Sequence, residues 1–90
     1  MQRLERAFTV VNSLGMHARP AAMIVQAANK FRCDIQFEKD GLQFNAKSIM
    51  GVLTLAAGKG STVVVVCEGE DAEAALAVLA KIFESGFGER

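Results

Sequence analysis

The pattern of hydrophobic and polar positions predicts four β-strands. The first runs from Leu4 to Val11 and is rich in β-branched and aromatic residues, with Phe8 and Val10 expected on its buried face. The last runs from Ser61 to Cys67 and contains four consecutive valines. A continuous apolar run is typical of a strand that is buried on both faces, so we expect this strand in the centre of the sheet.

The two middle strands are expected to form a hairpin. Residues Cys33 to Glu38 and Leu42 to Ala46 each alternate between apolar and polar types with a period of two. Between them, Lys39-Asp40-Gly41 contains an Asp-Gly pair, which tolerates the positive φ values of a tight turn. The two strands should therefore be antiparallel neighbours.

Two longer segments have the spacing of amphipathic helices. The first is expected to begin near Ala18, because Pro20 is tolerated in a first turn but not further along a helix. Its apolar face comprises Ala21, Ile24, Val25, Ala28 and Phe31. The second opens after Gly69-Glu70-Asp71, with acidic residues that suit the positive end of the helix dipole. Its buried stripe comprises Ala72, Ala75, Leu76, Leu79, Ile82 and Phe83.

The end of this second helix has its own signal. Gly86 is expected just beyond the last turn, where a glycine commonly adopts the left-handed conformation. Phe87 is then expected to fold back on Phe83 or Ile82, because hydrophobic contacts often accompany such helix ends.

A short third helix is expected after Ser48, which is a good N-cap residue. A helix this brief cannot hide all of its apolar residues. Ile49, Met50 and Leu53 therefore either form a partly exposed surface for protein binding or fill the core. The elements follow the order βαββαβα in one domain over residues 1–90, which predicts an α+β fold with helices on one face of an antiparallel sheet.

The composition narrows the class of partner. The chain is 51% hydrophobic and 22% charged, and its ten basic residues balance its ten acidic ones. A neutral chain lacks the electrostatic footprint of a nucleic-acid or anionic-membrane binder, so proteins or small molecules are the expected partners. No apolar run is long enough to cross a membrane and no signal peptide is evident, so the protein is expected in the cytoplasm. Cys33 and Cys67 are expected to be reduced, buried thiols.

The clearest chemical candidate is His17, the single histidine of the chain, which would lie at the N-cap of the first helix. A neutral imidazole is a nucleophile, and the free amides of Ala18 and Arg19 with the helix dipole form a site for an anion. The guanidinium of Arg19 suits phosphate oxygens, so a phosphoryl group on His17 would be well placed. These residues alone leave open whether His17 is a reaction centre or an ordinary surface or core histidine.

Other kinds of site are less well supported. Gly58-Lys59-Gly60-Ser61 lacks the spacing of a phosphate-binding P-loop and is interpreted as a turn. No paired carboxylates, metal-ligand cluster or acid–base partner for His17 is apparent, so a turnover enzyme is not expected, and neither a metal nor a cofactor is expected. A small module that binds a metabolite without phosphoryl transfer is the alternative of a different class.

Three motifs resemble the HPr family, the histidine-containing phosphocarriers of the bacterial phosphotransferase system. They are Leu14-Gly15-Met16-His17-Ala18-Arg19-Pro20-Ala21, Lys47-Ser48-Ile49-Met50-Gly51-Val52 and Ala57-Gly58-Lys59-Gly60. The motifs occur in the family's order, and the similarity extends over nearly the whole chain. The resemblance implies an open-faced sandwich with sheet order 1-4-2-3. In that order the strands that bear Cys33 and Cys67 are neighbours.

The resemblance also implies roles for individual residues. His17 would accept a phosphoryl group on Nδ1 from enzyme I, which is charged by phosphoenolpyruvate, and pass it to an enzyme IIA domain. Arg19 would steady the phosphate, and the amides of Ala18 and Arg19 would receive it. Partners would dock on Ile49, Met50 and Leu53, and the carrier would be a monomer.

Two further implications concern regulation and family branch. Ser48 matches a position that an HPr kinase/phosphorylase modifies in many members, although it is equally suited to be a plain helix cap. The segment Phe83-Glu84-Ser85-Gly86-Phe87 resembles the nitrogen-related branch, NPr, which would favour a carrier that acts mainly in signalling instead of sugar uptake.

Overall fold

A computed structural model describes residues 2–89 and contains one four-stranded sheet with three α-helices. The predicted order βαββαβα is confirmed. The elements are β1 (Gln2–Thr9), α1 (Ala18–Ala28), β2 (Asp34–Lys39), β3 (Leu42–Asn45), α2 (Ile49–Thr54), β4 (Thr62–Gly69), α3 (Ala72–Glu84) and a 3-10 turn (Gly86–Gly88). Within residues 2–89, no helix has the length and apolar character needed to cross a bilayer.

The sheet has the strand order β1-β4-β2-β3, and all neighbouring strands are antiparallel. The valine-rich β4 lies between β1 and β2, as predicted. Cys67 pairs with Leu4 of β1 on one side and with Ile35 of β2 on the other. In the β2–β3 turn, Asp40 (φ 53°) and Gly41 (φ 80°) both adopt the left-handed conformation, which matches the twist of a two-residue hairpin.

The helices cover one face of the sheet and form the core with it. Helix α3 packs on β1 and β4, while α1 packs on both α2 and α3. Phe83 is the centre of an aromatic cluster, with ring centroids 5.0 Å from Phe8, 5.7 Å from Phe37 and 5.2 Å from Phe87. The predicted return of Phe87 onto the helix is therefore confirmed for Phe83. The fold is the open-faced two-layer α+β sandwich that was expected.

Several boundaries differ from the sequence-based expectations. The first strand is Gln2–Thr9, so Val10 is buried but lies beyond it. Helix α1 ends at Ala28 instead of continuing to Phe31. The cause is Asn29, whose side-chain amide donates to the carbonyls of Val25 and Lys47 and so ties the end of α1 to the segment before α2.

The buried face of α3 also differs in detail. Ala80 is buried although it was not expected to be, and Leu76 and Ile82 are only partly buried.

The two cysteines are free, buried thiols in contact with one another. Burial raises the pKa of the Cys33 thiol to about 12, with a further contribution from the carboxylate of Asp71. Burial likewise raises the pKa of Cys67. Since the thiolate is the reactive form, these cysteines are core residues of low reactivity.

The carboxylate of Asp71, the N-cap residue of α3, performs a different task from the expected one. It makes no side-chain cap hydrogen bond to its own helix. Instead it accepts from the backbone amides of Arg32 and Cys33, each at 2.8 Å. The bond from the Arg32 amide is the main cause of the lowered pKa of Asp71. One carboxylate thus ties the start of α3 to the segment that leads into β2.

Candidate functional site

His17 is the N-cap residue of α1, as predicted. Its backbone is extended (φ −114°, ψ −169°), and its side chain makes no cap hydrogen bond. The first helical bond runs from the amide of Ala21 to the carbonyl of His17 at 3.0 Å, so the amides of Ala18 and Arg19 precede the helical ladder. The side chains of Ala18 and Arg19 are exposed, and Pro20 is buried in the first turn. The helix therefore begins with an uncapped, accessible end.

The loop before His17 is held against the segment that follows α2. The amide of Met16 donates to the carbonyl of Ala57 at 2.7 Å. Gly15 has φ +68°, and a Cβ atom on it would lie 2.6 Å from the Ala57 carbonyl oxygen and 2.8 Å from Cα of Gly58. Only glycine fits this approach without distortion, which makes Gly15 the residue that sets the position of the His17 backbone.

The imidazole of His17 has an acidic partner at the far end of the sequence. Its Nε2 atom lies 2.9 Å from Oε1 of Glu89, and the histidine side chain keeps 35% of its surface exposed whereas that of Glu89 keeps 12%. The hydrogen bond with His17 is the main cause of the lowered pKa of the Glu89 carboxyl, and a bond from Asn12 and the charge of Arg19 lower it further. The expectation that His17 lacks an acid–base partner was wrong.

Asn12 fixes the position of this carboxylate. It is fully buried, and its side-chain nitrogen donates both to the carbonyl of Gly15 at 2.8 Å and to Oε1 of Glu89 at 2.9 Å. Both partners can only accept, so the amide must present its NH₂ group to them. The amide oxygen is left buried without a hydrogen bond from the described residues. Such a group is costly, which shows how strongly the two acceptors select this orientation.

The segment after α3 brings Glu89 to this place through three consecutive residues with positive φ, Gly86 (64°), Phe87 (58°) and Gly88 (73°). The ring of Phe87 is completely buried against Phe83, and the amide of Glu89 donates to the carbonyl of Gly86 at 3.0 Å. The chain thus reverses over the core and points Glu89 towards His17.

The start of α2, unlike that of α1, has a side-chain cap. The hydroxyl of Ser48 accepts from the amide of Gly51 at 3.2 Å, so the predicted cap is confirmed. A Cβ atom on Gly51 would lie 2.8 Å from the carbonyl oxygen of Asn45, so the glycine permits close packing of α2 on the end of β3.

The apolar residues of α2 are partly exposed, so the expectation that all of them fill the core was wrong. Met50 is 68% exposed and Ile49 42%, while Leu53 is half-buried against the core. Leu14, in the loop before His17, is 74% exposed and was not singled out from the sequence. Single exposed apolar side chains are common on protein surfaces, so exposure alone does not assign these residues to docking.

The structure therefore brings together some of the predicted residues and adds two. His17 and Arg19 share the open end of α1, whereas Ser48 caps a separate helix that packs against α1. Glu89 was missed because it lies 72 residues from His17, and Asn12 because its role depends on its bond to Glu89, 77 residues away, although its other partner, Gly15, is only three residues distant. The one signal for Glu89 was the Gly-Phe-Gly run before it, which marks a chain reversal.

Comparison with known proteins decides the family. Residues 4–85 match the family model described as "PTS HPr component phosphorylation site". The chain belongs to the HPr family of phosphotransferase-system phosphocarriers. It is 50% identical over 80 residues to the phosphocarrier protein HPr of Treponema pallidum (strain Nichols), covering 89% of this chain and 91% of the relative.

Solved HPr structures agree with the fold. An HPr from Thermoanaerobacter tengcongensis superposes with a TM-score of 0.89 at 43% identity, covering all of this chain and 99% of the other. An HPr dimer from the same organism gives a TM-score of 0.78 at 49% identity, covering 83% and 86% of the two chains. The sheet order 1-4-2-3 expected for an HPr is therefore the one this chain has.

Proposed function

We propose that this HPr-family chain accepts a phosphoryl group on Nδ1 of His17 from enzyme I, which is charged by phosphoenolpyruvate, and passes it to an enzyme IIA domain. The observation that carries the proposal is the uncapped start of α1, where the imidazole stands with Arg19 and two amides that precede the helical ladder. A phosphoryl group on this ring adds negative charge at the positive end of a helix dipole.

The exposure of the site suits a carrier better than a turnover catalyst. His17 is only partly covered and Arg19 is exposed, so the phosphate would keep much of its contact with water. Contacts of this kind are weak enough to let the group leave for the next acceptor. We therefore assign the chain a carrier role, in which the partner proteins supply the remaining groups needed for each transfer.

Incubation with phosphoenolpyruvate labelled with ³²P and purified enzyme I tests this assignment. The wild-type chain is expected to take up about one acid-labile, base-stable phosphate, and His17→Ala none. Ser48→Ala is the matched control, since it leaves α1 intact and should be labelled like the wild type. Label that persists in His17→Ala would show that the acceptor is another residue.

The same material tests the metabolite-binding alternative. A carrier is expected to bind free small metabolites feebly, so the ring signals of His17 should not shift with phosphoenolpyruvate alone. Saturable shifts without enzyme I would favour the binding module.

We also propose that Ser48 is a site of regulatory phosphorylation by an HPr kinase/phosphorylase. Its hydroxyl is half-exposed at a helix start, and Ile49, Met50 and Leu53 follow it directly. A phosphate there would add charge beside apolar residues that we assign to partner docking, and docking should weaken. This arrangement would also serve an NPr-type carrier that acts mainly in signalling.

Treatment with ATP and the purified kinase is expected to place an acid-stable phosphate on the wild type and on His17→Ala, but not on Ser48→Ala. Ser48→Asp should slow phosphorylation of His17 by enzyme I. A chain that the kinase leaves unmodified would remove the basis for regulation at this serine.

The remaining parts of the proposal concern assembly and location. We infer that the carrier works as a monomer, because the contacts that position His17, from Gly15, Asn12 and Glu89, all come from its own chain, and that it works in the cytoplasm, where its proposed phosphoryl donor would be found. A related HPr has been crystallised as a dimer. Equilibrium sedimentation at micromolar concentration, with phosphorylation rates measured across the same range, distinguishes the two states.

A further inference from the structure

A carboxylate in contact with the proposed acceptor changes what the ring can do. Glu89 Oε1 lies 2.9 Å from Nε2 of His17, and a carboxylate can only accept a hydrogen bond. The Nε2 atom must therefore carry the proton, and in the neutral ring the lone pair is then on Nδ1. Within residues 2–89, no hydrogen bond to Nδ1 competes for that lone pair.

We propose that Glu89 is a positioning residue for phosphoryl transfer, which holds the His17 ring in the orientation and tautomer that present the Nδ1 lone pair to phosphorus. This inference rests on the proposed function, since it gives His17 the acceptor role. An acidic partner on one ring nitrogen that prepares the other for reaction is a general arrangement in enzymes that use histidine.

The supports of Glu89 show that the contact is built into the fold. Asn12, which is fully buried, donates to the same oxygen atom that faces His17. Phe87 is anchored in the aromatic cluster, and three successive residues with positive φ turn the chain towards the site. A loosely attached surface glutamate would need none of these features. The carboxylate of Glu89 is thus fixed by a hydrogen bond from Asn12, and its backbone is fixed by the packing of Phe87 in the core.

The transfer step shows why a carboxylate is useful at this position. The Nδ1 lone pair forms the new N–P bond while the bond between phosphorus and the donor's leaving atom breaks, and that electron pair stays with the leaving atom. The ring keeps its Nε2 proton and becomes cationic. The negative charge of Glu89 faces this cation across the 2.9 Å contact. When the group moves on, the electron pair of the N–P bond returns to Nδ1 and the ring is neutral again.

Two variants separate the functions of orientation and charge. Glu89→Gln keeps an oxygen that can accept from Nε2, because Asn12 donates to the same place, but it removes the charge. Glu89→Ala removes both. Glu73→Gln is the charge-matched control, since Glu73 is exposed in the first turn of α3, at the end of the helix opposite to Glu84 and the reversal that follows it.

The ring state is read directly by NMR, because His17 is the only histidine. In the wild type, at a pH alkaline enough for the ring to be neutral, the ring ¹⁵N shifts should show a protonated Nε2 and an unprotonated Nδ1, with slow exchange of the Nε2 proton. In Glu89→Ala, the Nε2 proton should exchange with water at least about tenfold faster. Phosphorylation of this variant should be about tenfold slower, which is the lower end of the range for loss of a group that orients a histidine. Glu89→Gln should keep the wild-type ring shifts and restore part of the rate, and Glu73→Gln should match the wild type.

Wild-type ring shifts, proton exchange and phosphorylation rate in Glu89→Ala would overturn the positioning role while leaving His17 as acceptor. If the wild type itself takes no label, the proposed function fails, and the ring spectra still show whether Glu89 sets the tautomer. A slower rate in Glu89→Ala with unchanged ring shifts and proton exchange would also overturn the inference, since it would point to a structural effect alone.

Discussion

Helices α1 and α2 begin in opposite ways, although each starts from an extended N-cap residue. At α2 the hydroxyl of Ser48 accepts from the amide of Gly51, so the helix satisfies one of its own donors. At α1 the side chain of His17 makes no such bond and turns instead to Glu89. Helix α2 is thus stabilised by its cap, whereas α1 keeps its first amides available.

The difference shows that α1 lacks a stabilising cap bond at the place where its first amides stay accessible. An N-cap side chain is worth about 1 kcal/mol, and α1 forgoes it. The missing stabilisation is supplied by Pro20, which is preorganised for a first turn and is buried in the core. Packing of Pro20 thus maintains the start of α1 without a cap bond, and the amides of Ala18 and Arg19 stay available to the anion that the proposed function requires.

The largest effect is expected where the loop before His17 touches the backbone of Ala57. Gly15→Ala should lower the free energy of unfolding by at least about 2 kcal/mol, because the new Cβ atom meets backbone and the φ of +68° is strained for alanine. Urea denaturation measures this change. Gly58→Ala is the matched control, since a Cβ atom there meets nothing within 4 Å, and it should stay within about 0.5 kcal/mol of the wild type. Equal losses in the two variants would contradict the close approach at Gly15.

A second effect should appear in the rate of transfer and not in stability. Arg19→Gln removes the exposed cation beside His17 and should slow phosphorylation by enzyme I about tenfold, equivalent to about 1.4 kcal/mol in the barrier. Lys30→Gln, just beyond the end of α1, changes the net charge equally and should have little effect. A similar slowing in both variants would mean that Arg19 acts through general charge.

The contrast between the two helix starts is tested directly by truncating each cap. Ser48→Ala should lower the free energy of unfolding by about 1 kcal/mol, because the amide of Gly51 loses its partner. His17→Ala made in a Glu89→Ala background, where the contact between the two side chains is already absent, should stay within about 0.5 kcal/mol of Glu89→Ala, because no cap bond is lost. Thermal and urea unfolding of both variants measure the difference. The reverse order would show that His17 stabilises α1 after all.

The smallest effect is expected from acid. The folded state lowers the pKa of Glu89, so its contact with His17 adds stability above the ordinary glutamate pKa of 4.5. That stability is lost as pH falls through the lower pKa of the folded state. The wild type should therefore be more stable than Glu89→Gln at neutral pH, and the difference should vanish with acidification. A difference that persists at a pH where Glu89 is protonated would show that its charge is not the cause.

The predictions made from local patterns held where the feature depends on neighbours in the sequence. Period-two and period-3.6 patterns placed the strands and helices, Asp40-Gly41 predicted the hairpin turn, and Pro20 and Ser48 predicted two helix starts. Errors arose where distant residues intervened. Helix α1 stops before Phe31 because Asn29 reaches the carbonyl of Lys47, eighteen residues away.

The sequence by itself determined the strand and helix pattern, the sheet order through the family resemblance, and the choice of His17 as the reactive candidate. Only the tertiary structure decided which groups face that histidine. Glu89 is 72 residues away from it, and their contact exists because Phe87 packs on Phe83 and the chain then reverses. Periodicity and capping are local and can be read along the chain. Contacts between distant side chains depend on how the core packs, which no local pattern contains.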